Sequence, residues 1–521
     1  MMARFILLGC LFLQMTATAQ KKEPIAFAQY IDKVSLKKHL SVIASDSMNG
    51  RETGTEGQRK AAAYIEQQFT SIGLLPAPNQ KGYQQFYPLK KDSVKSMHLM
   101  IDNHQAIMGK DFYIPIGVNE SNTFTGKEIV FVGYGIDDEQ YSDYQKKDVK
   151  GKVIVFVNGE PKKNNLFFLG DHQQPSKWSY PGLSKKLATA FQKGAIGALY
   201  INYNQPLINN NTLKNNLTAA LSMLDNESET KTNCAILSHE YAIKILGDDM
   251  NVIIDAAKNN RLLNEVILEK KIPTLFTFEK QSDTIYASNV IGMIEGSEKK
   301  DEYVFLTSHY DHLGNHGGKI YNGADDDGSG TVAVIQMAAA FAKAAKEGNR
   351  PKRNIVFMTV SGEEKGLWGS EYYTDHPIFP LEKTSVDLNT DMIGRIDTER
   401  KKADTLNYVY VVGHNKLSSE LPVINEKINN STTQLVLDYK FDDPQDPNRI
   451  YYRSDHYNFA RKGVPVLFFY DGMLQSDYHQ PTDDVEKINW PLYEKRTRMI
   501  FLTAWEMANR NELLKRDKPL D

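Results

Sequence analysis

The chain has 521 residues, of which 41% are hydrophobic and 24% charged, and a formal net charge of -3. This is the balance of a globular protein, and with no basic block it leaves no electrostatic case for a nucleic-acid partner. The length exceeds one ordinary core, so two domains, or one domain with a large insertion, are expected.

The first residues join Arg4 to an apolar run from Phe5 to Leu13 and then to Ala17-Thr18-Ala19. This reads as a signal peptide, residues 1–19, cut after Ala19, and it implies a secreted or periplasmic protein. The apolar run is too short to span a membrane, so no transmembrane segment is expected after its removal. Leu7-Leu8-Gly9-Cys10 resembles a lipobox, which makes a lipoprotein anchored at Cys10 the alternative. Cys10 and Cys234 are the two cysteines, so the mature chain can form no intramolecular disulfide. Any zinc site must then be built from histidines and carboxylates.

From Ile31 to Leu75 the pattern gives two helices around a glycine-containing loop, Asn49 to Thr55; the second helix runs from Gly57 to Ile72. The loop reads as a plain turn or as the rim of a site. Residues 20–115 are assigned to the first part of the main domain. Residues 116–278 are assigned to an inserted module, with strands at Glu128 to Val132 and Lys152 to Val157, a helix over Ser184 to Lys193, and a helix–strand pair from Ser238 to Ile254. Nothing in that module gathers histidine with carboxylates.

Residues 279–521 alternate strand and helix, the mark of an α/β fold whose mixed, mainly parallel sheet is flanked by helices. Strands are expected at Asn289 to Ile294, Tyr303 to Ser308, Asn354 to Thr359, Ser385 to Asp391, Tyr408 to Val412 and Pro465 to Phe469. Helices are expected at Ser329 to Lys346, Gly366 to Thr374, Leu417 to Asn429 and Pro491 to Leu514. Ligands of such sheets bind beyond the carboxyl ends of the strands. There the chain sets His309 and Asp311, the run Asp325-Asp326-Asp327, Glu363 and Glu364, Asp391, and His479 in a late loop. Three adjacent carboxylates repel one another unless a positive charge sits among them, and a metal is the simplest source of one. Singly, each residue has a plain reading: a helix cap for the aspartates, a helix N-terminus for the glutamates, a packed histidine for His479. Together, at successive strand ends, they point to a metal centre.

The motifs Ser308-His309-Tyr310-Asp311, Asn322 to Gly330, Ser361-Gly362-Glu363-Glu364, Asn389-Thr390-Asp391-Met392 and Tyr478-His479 resemble those of the zinc-dependent M28 peptidases, the co-catalytic aminopeptidases related to glutamate carboxypeptidase. The resemblance runs from about His39 to Leu514 and implies a zinc exopeptidase-like (phosphorylase/hydrolase-like) fold whose insertion is a β-rich protease-associated (PA) domain. It implies two zinc ions per chain: His309 and Asp391 on one, Glu364 and His479 on the other. Asp326, two residues before the Gly-Ser-Gly position, would bridge both, commonly through a cis peptide to Asp327. Asp311 would orient His309, Glu363 would be the general base that activates a zinc-bridging water, and Tyr451 would steady the oxyanion.

The implied activity is hydrolysis of a peptide or protein substrate from its N-terminus. A carboxypeptidase or dipeptidase of the same family and a glutaminyl cyclase are the enzymatic alternatives. A binding protein that keeps the fold without the chemistry, as in the transferrin receptor, would have lost the ligands. No Gly-x-Ser-x-Gly elbow and no His-Glu-x-x-His motif occurs, so serine-hydrolase and zincin chemistry are set aside.

Overall fold

The computed structural model describes residues 23–169, 174–179, 182–203, 219–224, 231–401 and 404–520. The expected leader and Cys10 lie outside the described residues. The chain divides into two compact units, one formed by residues 1–87 and 287–521 and the other by Pro88–Tyr286.

The first unit is organised by seven strands: β1 (Thr274–Ile294, whose last residues enter this unit), β2 (Lys299–His309), β3 (Arg353–Val360), β4 (Thr384–Thr390), β5 (Tyr408–Val412), β6 (Val436–Asp438) and β7 (Val466–Tyr470). Their spatial order is β1-β3-β2-β4-β7-β5-β6. The ladders β3-β2, β2-β4 and β4-β7 are parallel, while β1 runs antiparallel to β3 and β5 antiparallel to β7. Every residue of β3, β4, β5 and β7 is buried, because helices cover both faces of a central parallel sheet. This is the mixed, mainly parallel arrangement expected from the sequence. The short strand β6 was missed, since three residues show no period.

The helices that flank the sheet are α1 (Lys33–Ile43), α2 (Glu56–Ile72), α3 (Gly330–Lys346), α4 (Trp368–Asp375), α5 (Glu420–Ser431), α6 (His456–Ala460) and α7 (Trp490–Asn509). Asp32 caps α1 by accepting the amides of Val34 and Ser35. Gly73, at φ 84°, closes α2 in the left-handed conformation that glycine adopts at little cost. α3 is apolar almost all round, from Val332 to Ala344, and is correspondingly buried. Its Phe341 packs against Phe501 of α7 with ring centroids 4.5 Å apart. α7 stops at Asn509, short of the expected Leu514, where Arg510 turns extended. Among the described residues no helix is long and apolar enough to cross a membrane.

The second unit holds a six-stranded sheet in the order Glu269–Lys270, Ile129–Phe131, Val153–Val157, Gly197–Ile201, Cys234–Leu237, Phe112–Tyr113, with its inner four strands parallel. Among the described residues three helices accompany it, Leu183–Gln192, His239–Leu246 and Asp249–Lys258. The helix–strand pair expected from Ser238 to Ile254 is instead two helices. Met250, Ile253, Ile254 and Ala257 recur at helical spacing and are all buried, and that stripe prevails over the β-branched look of the segment. The unit is also wider than residues 116–278. Ala219–Met223 pairs with Leu89 to Ser93, and Asn122–Gly126 pairs with Thr274 to Phe278, so the two long strands at the margins carry residues of this unit.

Candidate metal centre

The site forms beyond the carboxyl ends of β2, β3, β4 and β7. His309 is the last residue of β2, Glu363 and Glu364 follow β3 in a single 3-10 turn, Asp391 follows β4, and His479 stands in the loop after β7. Parallel strands end on the same edge, so residues distant in sequence arrive together. Asp325, Asp326 and Asp327 lie just before α3, and the Asp326–Asp327 peptide is cis.

The three aspartates have separate partners. Asp325 Oδ1 accepts the amide of Gly394 at 2.8 Å. Asp327 accepts three backbone amides, from Gly330 at 2.7 Å, Met392 at 3.1 Å and His309 at 3.2 Å. Although Asp327 lies close enough to His309 and Asp391 to join a ligand group, those amides already occupy its oxygens. Asp326 alone divides its carboxylate between two histidines, Oδ1 at 3.2 Å from His309 Nε2 and Oδ2 at 3.1 Å from His479 Nε2. Behind it, Asp483 Oδ2 accepts the amides of Asp325 and Asp326 and fixes the turn.

Two donor groups share Asp326. On one side His309 Nε2 is 3.6 Å from Asp391 Oδ1; on the other His479 Nε2 is 3.1 Å from Glu364 Oε2. Bonds of about 2.0–2.1 Å in a tetrahedral zinc site place neighbouring donors roughly 3.3–3.4 Å apart, so these separations fit a metal between them. His309 Nε2 is buried and makes no hydrogen bond, as expected of an atom meant for a ligand. The residues present therefore fit two metal ions.

Electrostatics give the same picture. Burial opposes charge on His309, yet Glu363 and Asp391 hold its pKa well above the ordinary value. Burial also works against His479, but Asp326 and Glu364 raise it to about 10. Glu364, despite burial and the repulsion of Asp326, falls to about 2 through His312 and His479. Burial pushes Glu363 well above the usual carboxylate range, with Asp391 and Glu364 adding to the rise and His309 opposing it. The cluster is short of positive charge.

The supporting residues come from far along the chain. Arg51 is fully buried and donates to the carbonyl oxygens of Tyr310 at 2.7 Å, Ile43 at 2.8 Å, Asn322 at 2.6 Å and Gly323 at 3.0 Å. It clamps the loops that carry His309 and Asp326 rather than lining a rim. Gly50 beside it has φ 68°, and a Cβ there would strike the Gly314 carbonyl. Thr53 donates to Asp311 Oδ2 at 2.7 Å and accepts the Gly362 amide at 2.9 Å. His309 Nδ1 meets the main-chain oxygen of Asp311 at 3.1 Å, nearer than that residue's Oδ1 at 3.6 Å. Asp311 thus holds the ring chiefly through its backbone, because its carboxylate is engaged by Thr53 and by the Glu363 amide at 3.3 Å.

Two participants escaped the sequence reading. His312 is fully buried with Nδ1 2.7 Å from Glu364 Oε1, so it holds the oxygen that His479 does not face. Ser454 donates to Asp391 Oδ2 at 2.7 Å and leaves Oδ1 for the metal side. A second histidine three residues after His309 was the available signal for His312; none marked Ser454.

Tyr451 does not stand with the others. The cleft over the carboxylates is lined by Ile450 and Arg453 but not by Tyr451 or Tyr452 between them, because a 3-10 turn puts residues three apart on one face and sends the two between them elsewhere. Tyr451 is buried against His456, ring centroids 5.6 Å apart, and faces a separate depression beside Lys416 and Phe441. Its assignment to the oxyanion is not supported.

Residues 289–504 match the sequence model of Peptidase family M28. Aminopeptidase YwaD of Bacillus subtilis is 26% identical over 233 residues, 43% of this chain and 46% of its own length. Aminopeptidase NAALADL1 of Rattus norvegicus is 34% identical over 108 residues, 20% of this chain and 14% of its own. The chain thus spans less than half the length of these curated relatives. Among solved structures, an aminopeptidase from Aneurinibacillus sp. strain AM-1 has a TM-score of 0.58 at 17% identity, covering 95% of this chain and 99% of its own. A zinc aminopeptidase from Bacillus subtilis has a TM-score of 0.53 at 18% identity, covering 94% and 98%. These structural likenesses establish the fold. Over residues 289–504, less than half of its length, the chain is similar to peptidase family M28.

Proposed function

We propose that the protein is a di-zinc exopeptidase that releases N-terminal residues from peptides. The observation that carries this reading is the division of the Asp326 carboxylate between His309 and His479. His309 and Asp391 would hold one ion, Glu364 and His479 the other, and Asp326 both. Relatives named aminopeptidase and probable zinc metalloprotease support zinc and the N-terminal preference.

Bound zinc supplies Lewis acidity that polarises a carbonyl and makes water easier to deprotonate. Glu363 is free of that duty: its Oε2 lies 3.9 Å from His309 Nε2, at the edge of the cleft. It takes the proton of the attacking water and passes it to the leaving amine nitrogen, which then departs neutral. Its neighbour Asp391 keeps its own orientation through Ser454.

Within the same proposal, the Met1-to-Ala19 leader makes the protein secreted or periplasmic, and the unit Pro88–Tyr286 is a PA-like module outside the chemistry. The experiment is an assay of chelator-treated, zinc-restored protein on free and N-blocked peptides. Release of N-terminal residues from free peptides alone is expected. Loss of C-terminal residues from blocked peptides would replace the reading with a carboxypeptidase.

A further inference from the structure

The cleft over the metal centre has an apolar wall made by Met392, Ile450, Phe468 and Leu474. It also has one permanently cationic lining residue, Arg453, beside Glu363 and Asp391. Arg453 is exposed, and its Nη2 donates to the Tyr478 hydroxyl at 2.9 Å. Among the described residues no carboxylate forms an ion pair with it, and its other donors have no protein partner. A guanidinium kept at a cleft mouth with most of its fork unused is matched to a planar anion. The apolar wall suits the methylene stem of such a ligand, whereas Glu363 and Asp391 repel any anion that lacks a cation to meet it.

Resting on the aminopeptidase reading, we propose that Arg453 determines specificity by receiving a carboxylate of the substrate. That carboxylate is either the acidic side chain of the N-terminal residue or the free C-terminus of a dipeptide. A charge-assisted, bidentate contact of this kind is worth roughly a factor of 10 to 100.

The test uses the zinc-restored full chain and its Arg453→Gln and Arg453→Lys variants. One arm compares kcat/KM for the p-nitroanilides of glutamate and glutamine; the other compares Ala-Ala with Ala-Ala amide. In one arm the ratio of charged to neutral substrate is expected to fall about 10- to 100-fold in Arg453→Gln, chiefly through KM, and to recover in part in Arg453→Lys. The arm that moves identifies the source of the carboxylate. Equal losses on all four substrates would reduce Arg453 to a support for Tyr478 and overturn the proposal. Should Arg453→Gln fail to fold, competitive inhibition of the unaltered protein decides: glutarate must bind at least tenfold tighter than glutaramate, and equal binding refutes the proposal. If neutral free peptides are not cleaved at all, the aminopeptidase reading fails and the inference falls with it; cleavage with unchanged ratios removes only the role of Arg453.

Discussion

Glu363 and Glu364 are adjacent in the chain yet serve different histidines: Glu363 Oε2 lies 3.9 Å from His309 Nε2, and Glu364 Oε2 lies 3.1 Å from His479 Nε2. The turn that carries them is a single 3-10 turn, which sends consecutive side chains apart. Their substitutions should therefore separate. Glu363→Gln is expected to keep two zinc ions and lose roughly 10²- to 10⁴-fold in kcat. Glu364→Gln is expected to lose occupancy of one ion. Metal analysis beside kinetics checks both, and a Glu363→Gln protein with near-normal turnover removes Glu363 from the base role.

Ser454 fixes Asp391 from behind, with its hydroxyl 2.7 Å from Oδ2. Removing such an outer partner costs about 10- to 100-fold in metal affinity. Ser454→Ala should weaken the ion held by His309 and Asp391 by that factor and leave the ion of Glu364 and His479 little changed. Competition with a chromophoric chelator reads the two affinities; equal weakening of both contradicts the assignment.

Zinc binding should release protons. Without metal, Asp326 and Glu364 keep His479 protonated up to about pH 10 despite its burial, and Glu363 and Asp391 likewise hold His309 well above its ordinary range. A metal requires neutral imidazoles, so both protons must leave at pH 7, and affinity falls as the pH is lowered. Calorimetry in two buffers of different ionisation enthalpy should show roughly two protons released for two ions. Net proton uptake would contradict this.

The second unit contains its own pH dependence. Lys186 is buried, donates to the Gly159 carbonyl at 2.9 Å, and is lowered by desolvation from 10.5 to about 8, with Asp143 and Glu160 opposing the fall. Its folded pKa lies below its unfolded one, so the penalty is fully present below pH 8 and disappears as the pH rises to 10.5. The shift is worth on the order of 3 kcal/mol. Relative to Lys186→Met, the unaltered protein should gain stability by about that amount between pH 7 and pH 10.5. Parallel melting curves check it, and a constant difference across that range refutes the shift.

The strands of the main sheet were legible because burial on both faces writes them as apolar runs, Val304 to Leu306 and Ile355 to Met358 among them. His309, the Asp325 to Asp327 run, Glu363, Glu364, Asp391 and His479 stood out as a group because strand ends in a parallel sheet share one edge, while the resemblance to M28 peptidases singled out Asp326 and divided Glu363 from Glu364. The pairing of Arg51 with Tyr310 and of Thr53 with Asp311 was not, since about 260 residues separate the partners and neither leaves a local pattern. Tyr451 shows the opposite failure: counting back from Ser454 locates a tyrosine in sequence, but the turn at Ile450 decides which way it faces.

The central claim is that Asp326 is shared by two metal ions. Anomalous diffraction at the zinc edge from crystals of the zinc-restored protein tests it most directly. Two peaks about 3.5–4 Å apart, with Asp326 between them, are predicted. A single peak, or two that do not share Asp326, would contradict it.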